Sequence, residues 1–135
     1  MDTATPLTFD DASAGAPRVL VVDDHSVFRE AARLLLERRG YAVVAEAGCA
    51  ATALDAVERF APEAVLLDVS LGDDNGFDVC RRLTRARPGL AVLLTSNTEY
   101  DGRDHRVAAS GACGFINKRR LVDTDFGEFW PRAGR

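Results

Sequence analysis

Four short apolar runs in this chain each stop abruptly on a polar residue. Val19 to Val22 runs into Asp23 and Asp24, Ala64 to Leu67 into Asp68, Ala91 to Leu94 into Thr95, and Phe115 with Ile116 into Asn117 and Lys118. Short continuous apolar runs suit strands buried on both faces, the condition of a parallel sheet covered by helices. In such a sheet, ligands bind just outside the carboxyl ends of the strands. The pattern therefore places three carboxylates, a hydroxyl and an ammonium along one edge, a set suited to phosphate and divalent-cation chemistry.

The segments between the runs supply helices. From Arg18 onward a short apolar run alternates with a helical pattern five times, the mark of βα units on a parallel sheet. Strands are expected at residues 18–23, 41–47, 64–68, 90–95 and 113–117. After the first, Val27, Ala31, Leu34 and Leu35 recur at i, i+4, i+7, i+8 and define an inward face. Arg29, Glu30, Arg33, Glu37 and Arg38 then lie outside, and Gly40 takes the C-cap position. Ala50, Ala53, Leu54 and Val57 mark a second helix, ended ahead of Pro62. A third spans about 76–86 with Val79, Cys80, Leu83 and Ala86 inward, and a weaker fourth spans about 103–110. Beyond Lys118, Val122, Phe126, Phe129 and Trp130 repeat the same stripe up to Pro131, so a short fifth helix is expected. Gly127 inside it costs about 1 kcal/mol relative to Ala, which leaves its stability to the docking of the aromatics. Those aromatics are read as completing the core rather than as an exposed patch.

At 135 residues, 47% hydrophobic and 28% charged, the chain fits one globular domain, here residues 18–131. No apolar run approaches the roughly 20 residues of a membrane-spanning helix. Residues 1–17 carry little bulky apolar surface and no basic group, which predicts a disordered tail rather than a secretory signal; residues 132–135 form a short C-terminal tail. Cys49, Cys80 and Cys113 lack C-x-x-C spacing, so neither a disulfide framework nor a zinc site is indicated and a reducing cytoplasm is the expected setting. A net charge of -4 argues against direct nucleic-acid binding, which needs a basic surface.

The carboxylates decide the chemistry. A single Asp at a strand-to-helix loop reads as a helix cap. Adjacent Asp23 and Asp24, with Asp68 at the end of a neighbouring strand, read instead as a cation site, because like charges in one pocket disfavour each other unless neutralised. Mg2+ is the natural candidate, since it takes oxygen ligands and is usually held by one or two carboxylates together with a phosphate. A carboxylate that attacks phosphorus forms an acyl phosphate, and a metal, an ammonium such as Lys118 and a hydroxyl such as Thr95 stabilise the charge on the transferring group.

The stretches VLVVDDHS, VLLDVSLGDDNGFD, VLLTS and GACGFINK, in this order and spacing, resemble the receiver domain of two-component response regulators over residues 18–118. The resemblance implies a flavodoxin-like (βα)5 fold, a five-stranded parallel sheet of order 2-1-3-4-5. It implies Asp68 as phosphoacceptor, with Asp23, Asp24, Asp68 and the backbone carbonyl of Ser70 holding Mg2+. Thr95 corresponds to the switch hydroxyl, Phe115 to the switch aromatic and Lys118 to the phosphate-pairing lysine, while Ser70 and Asn97 occupy positions that tune phosphoryl lifetime. Such a protein is a phosphoacceptor switch rather than a turnover enzyme. Its donor is a sensor histidine kinase or phosphotransfer protein, and its readout is the surface of the fourth helix, fifth strand and fifth helix. That surface would meet a downstream protein, an output domain that binds DNA, or a second copy of the chain. Two departures stand out: Gly72, followed by Asp73 and Asp74, replaces a common proline and predicts a looser, more acidic loop, and Arg119 replaces the proline that often follows the lysine, so no cis peptide is expected there. The seventeen residues after Lys118 leave no room for an output domain, which suggests a stand-alone receiver or a piece of a longer protein. Two other readings stay open, an aspartyl-nucleophile Mg2+-dependent phosphatase and a receiver-like binding module that works without phosphorylation. The first family places an Asp two residues after its nucleophile, where this chain has Ser70.

Overall fold

In a computed structural model, residues 15–98 and 105–133 are described. The expectations for most of the N-terminal tail and for the start of the fourth helix, at Arg103, lie outside those residues. The chain order is β1 (Arg18–Val22), α1 (Ser26–Arg38), β2 (Ala42–Ala47), α2 (Ala50–Phe60), β3 (Ala64–Asp68), α3 (Gly76–Ala86), β4 (Ala91–Ser96), α4 (His105–Ala109) and β5 (Gly114–Asn117). The five strands form one parallel sheet of order β2-β1-β3-β4-β5. Between β3 and α3, Ser70–Leu71 and Asp74–Asn75 pair as a two-residue antiparallel ladder. Among the described residues no helix is long and apolar enough to cross a membrane.

Alternation along the central strands builds two apolar layers. Leu20 and Val22 of β1, Val65 and Leu67 of β3, and Val92 and Leu94 of β4 pack with α2 and α3. Val19, Val21, Ala64, Leu66 and Leu93 point to the opposite side, against Ala32 and Leu36 of α1 and the C-terminal aromatics. Because both faces are covered, the polar side chains at the strand ends collect at the carboxyl edge.

Two local expectations are corrected. In α1 the buried face is shifted from the expected one: Val27 and Leu34 are 81% and 49% exposed, while Ala32 and Leu36 are buried and Phe28 packs beside them; of the expected face, Leu35 does pack inward. The helix carries apolar residues in both registers, so periodicity alone could not choose. Ion pairs from Arg29 and Arg33 to Glu46 on β2 accompany the phase that forms.

The fifth α-helix does not form. Its place is taken by two 3-10 turns, Lys118–Asp123 and Phe126–Glu128, separated by extended Thr124 and Asp125. The Asn117 side chain accepts from the Arg119 N–H and Asp125 from the Gly127 N–H, so each turn has its own cap and the helix is interrupted between them. The stripe shifts accordingly, with Leu121 buried and Val122 exposed. The Arg39 guanidinium donates to the Val122 and Thr124 carbonyls and holds the extended link. Phe126 stacks on Trp130 at 5.1 Å, and Tyr41 meets both rings edge-on. Phe126 and Trp130 thus complete the core, as expected, without a helix to carry them.

Candidate metal and phosphoryl site

Strand register sets the site. Val22 pairs with Leu67, so Asp23 and Asp68 come level one step further on; Asp68 itself pairs with Thr95, and Ser96 with Asn117, which precedes Lys118. The Asp23 N–H donates to the Ala47 carbonyl and extends the ladder by one residue. Asp23 and Asp68 are buried while Asp24 stands at the rim.

Lys118 binds the two buried acids together. Its Nζ lies 2.5 Å from Asp23 Oδ2 and 3.2 Å from Asp68 Oδ2, with 7% of the side chain exposed. It also sits 4.2 Å from the centroid of the Phe28 ring, a cation-π contact. Asp68 Oδ1 accepts from the Ser70 N–H at 3.0 Å. Asp23 Oδ1 accepts from the His25 N–H at 2.9 Å, and the His25 ring Nδ1 lies 3.2 Å from that oxygen and 3.1 Å from Asp24 Oδ1. Asp23 Oδ2, by contrast, is buried and has no hydrogen bond. Its contact with Lys118 is ionic but out of hydrogen-bond alignment.

Three carboxylates face one ammonium, and the excess negative charge is felt. Burial, reinforced by the charge of Asp23, pushes the Asp68 carboxyl above its ordinary value despite the opposing Ser70 N–H and Lys118. Among the described residues, ligating atoms of Asp23, Asp24, His25 and Asp68 fall within 4.8 Å of one another. The carboxylate-rich donor set, with three acids to one ammonium, fits a hard divalent cation such as Mg2+.

The remaining candidates lie around this core. Thr95 is buried beside Asp68, its hydroxyl donating to the Leu67 carbonyl at 3.5 Å. Ser70 is exposed two residues past Asp68. Phe115 is half-buried against the apolar layer that includes α2 and α3. Asn97, His25, Phe28, Lys118 and Arg119 line an open cavity of about 300 Å3 at the mouth. The Lys118–Arg119 peptide is trans, as are all the described peptide bonds.

Several supporting residues had no assigned role in the sequence reading. Arg29, expected in solvent, donates to the Asp23 carbonyl at 2.6 Å and is itself held by Glu46 at 3.2 Å. Phe28 and His25 touch the cleft directly, and only the adjacency of His25 to the acidic pair was a sequence signal. The loop after Asp68 is also corrected, for it is bonded rather than loose. Gly72 has φ +62°, which suits glycine and turns the chain into the two-residue ladder. The Gly76 N–H returns to the Val69 carbonyl at 2.6 Å, and a Cβ on Gly76 would stand 2.3 Å from the Asp68 carbonyl oxygen. Asp74 Oδ2 accepts from the Ala50 N–H at 2.9 Å, across at the start of α2.

Comparison with known proteins points to one family. Residues 19–124 match the family model of the response regulator receiver domain. Response regulator GacA of Pseudomonas aeruginosa is 33% identical over 102 residues, which cover 75% of this chain and 48% of that protein. The chain spans about half the length of the curated relatives it matches. Among solved structures, a two-component response regulator of the LuxR family from Aurantimonas sp. SI85-9A1 superposes with TM-score 0.76 at 28% identity, covering 89% of each chain. A response regulator protein from Burkholderia pseudomallei, solved with a phosphorylated aspartic acid, calcium ion and citrate, gives TM-score 0.76 at 25% identity over 85% of this chain and 67% of that one.

Proposed function

The chain belongs to the response regulator receiver domain family, and from that premise we propose that Asp68 accepts a phosphoryl group and switches the protein between two states. The observation that carries this reading is the buried Lys118 ammonium shared between Asp23 and Asp68.

The donor is a phosphohistidine on a sensor histidine kinase or phosphotransfer protein, met in the cytoplasm. An Asp68 carboxylate oxygen attacks phosphorus, the N–P bond breaks, and the histidine leaves with its electron pair. Asp23, Asp24, Asp68 and the Ser70 carbonyl would hold Mg2+, which when bound neutralises the carboxylates and the phosphoryl oxygens. The Ser70 N–H holds one Asp68 oxygen in place, and Lys118 shifts from the carboxylates to the new phosphoryl oxygen. Thr95 turns its hydroxyl from the Leu67 carbonyl toward the same group, and Phe115 repacks in response. The changed surface comprises α4, β5 and the 3-10 segment that stands in for the fifth helix. A downstream protein, a DNA-binding output domain or a second copy of this chain reads it out.

Incubation with a phosphorylated histidine donor and Mg2+ should transfer one phosphoryl group to the wild-type chain and none to Asp68→Asn. Undiminished labelling of Asp68→Asn removes Asp68 as the acceptor. Sustained release of phosphate from a generic ester would favour a phosphatase instead.

A further inference from the structure

The loop that follows the acceptor is fastened to a neighbouring helix, and Asp74 is the fastener. Helix α2 begins at Ala50 after Cys49, whose side chain makes no capping hydrogen bond. The first N–H groups of a helix have no partner within it and favour a negative charge nearby. Here the Ala50 N–H is satisfied from 24 residues away by Asp74 Oδ2, 2.9 Å distant.

Asp74 belongs to the loop between Asp68 and α3, and that loop is short and internally bonded. Leu71 pairs with Asp74 and Ser70 with Asn75. The Ser70 N–H then donates to Asp68 Oδ1. A continuous path thus runs from the α2 terminus through Asp74 and the ladder to the acceptor carboxylate. At the other end of the loop, Asn75 caps α3 through the N–H groups of Phe77 and Asp78, so both ends of the ladder strand are tied to helices. Gly72, at the ladder's turn, has φ +62°, a conformation glycine adopts without steric cost.

We propose that Asp74 is a positioning residue for phosphoryl acceptance: by capping α2 from the acceptor loop, it holds the Ser70 N–H on Asp68 and so fixes the orientation of the acceptor carboxylate. This rests on the acceptor reading above for its consequence in phosphotransfer, though not for the attachment itself. Asp74→Asn retains an oxygen that can accept from Ala50, whereas Asp74→Ala retains none.

The test uses the full chain with Asp74→Ala and Asp74→Asn, read in two ways. Amide hydrogen exchange, without metal or phosphodonor, should speed up at both Ala50 and Ser70 in Asp74→Ala by about fivefold, the scale of one lost helix cap, and return close to wild type in Asp74→Asn. The phosphorylation rate at saturating small-molecule phosphodonor and saturating Mg2+ should fall by a similar factor in Asp74→Ala alone. Faster exchange at Ala50 with Ser70 unchanged would overturn the proposal, leaving Asp74 as a helix cap only. Failure of Asp74→Asn to restore both readouts, or an unchanged phosphorylation rate in Asp74→Ala, would also overturn it. If the wild-type chain takes up no phosphoryl group, the acceptor reading fails separately, and with it the claimed consequence, while the exchange data still decide the attachment.

Discussion

Lys118→Met deletes the charge that faces Asp23 and Asp68 while keeping most of the aliphatic stem. At an effective dielectric of about 20, unit charges at the observed 3.2 and 2.5 Å attract by roughly 5 and 7 kcal/mol. Desolvation of the ammonium opposes this by several kcal/mol, and measured losses on removing one partner of a buried pair are about 3–5 kcal/mol. For a domain of this size that lowers the thermal midpoint by about 12–20 °C. Asp68, already raised and now without the lysine that holds it down, would respond by binding a proton, so the loss should be full near pH 7 and shrink toward pH 4. Mg2+ should stabilise the variant more than the wild type, because no ammonium remains to compete for the carboxylates; for scale, ligand at 100 times its Kd adds about 2.7 kcal/mol. Denaturant titrations at both pH values, with EDTA or Mg2+, measure all three effects. A loss below 1 kcal/mol, independence from pH, or an equal Mg2+ response in both proteins would refute the reasoning.

Asp68 predicts a pH signature of its own. With its folded-state value raised from 3.8, chiefly by burial, the stability it contributes is fully present below that ordinary value and is lost as pH climbs through the raised one. Asp68→Asn should therefore flatten this part of the stability curve in EDTA and stabilise the protein at pH 7; an unchanged slope would count against it. Gly76→Ala would drive a Cβ to within 2.3 Å of the Asp68 carbonyl oxygen, so Mg2+ affinity measured by calorimetry should fall at least tenfold, and wild-type affinity would show the close approach to be harmless. Trp130→Ala should cost about 3–5 kcal/mol in denaturant titration by emptying the stack with Phe126, whereas Val122→Ala, on the exposed side of its turn, should cost less than about 0.5 kcal/mol.

The strands were legible because they are short apolar runs bounded by turn residues, a signal that survives without tertiary detail, while their order followed only from the resemblance to receiver domains. The carboxyl-edge cluster was legible for the same reason, since strand ends alone locate Asp23, Asp68, Thr95 and Lys118. The phase of α1 was not, because Val27, Ala31 and Leu34 compete with Phe28, Ala32 and Leu36 and the choice is made by β2. The C-terminal stripe misled because helical spacing is shared by successive turns, while the caps at Asn117 and Asp125 divide the segment. Arg29 reaches the Glu46 side chain 17 residues away and the Asp23 carbonyl, and Asp74 takes the Ala50 N–H from 24 residues away, contacts that no local pattern encodes.

The central claim is that the strand-end acids and Lys118 form one site where a divalent cation and a phosphoryl group meet on Asp68. Borohydride reduction after exposure to acetyl phosphate converts an aspartyl phosphate to homoserine, and peptide mass mapping locates it. The account predicts homoserine at position 68 alone, formed in Mg2+ and suppressed in EDTA. Conversion at another aspartate, or equal conversion with and without the cation, would contradict it.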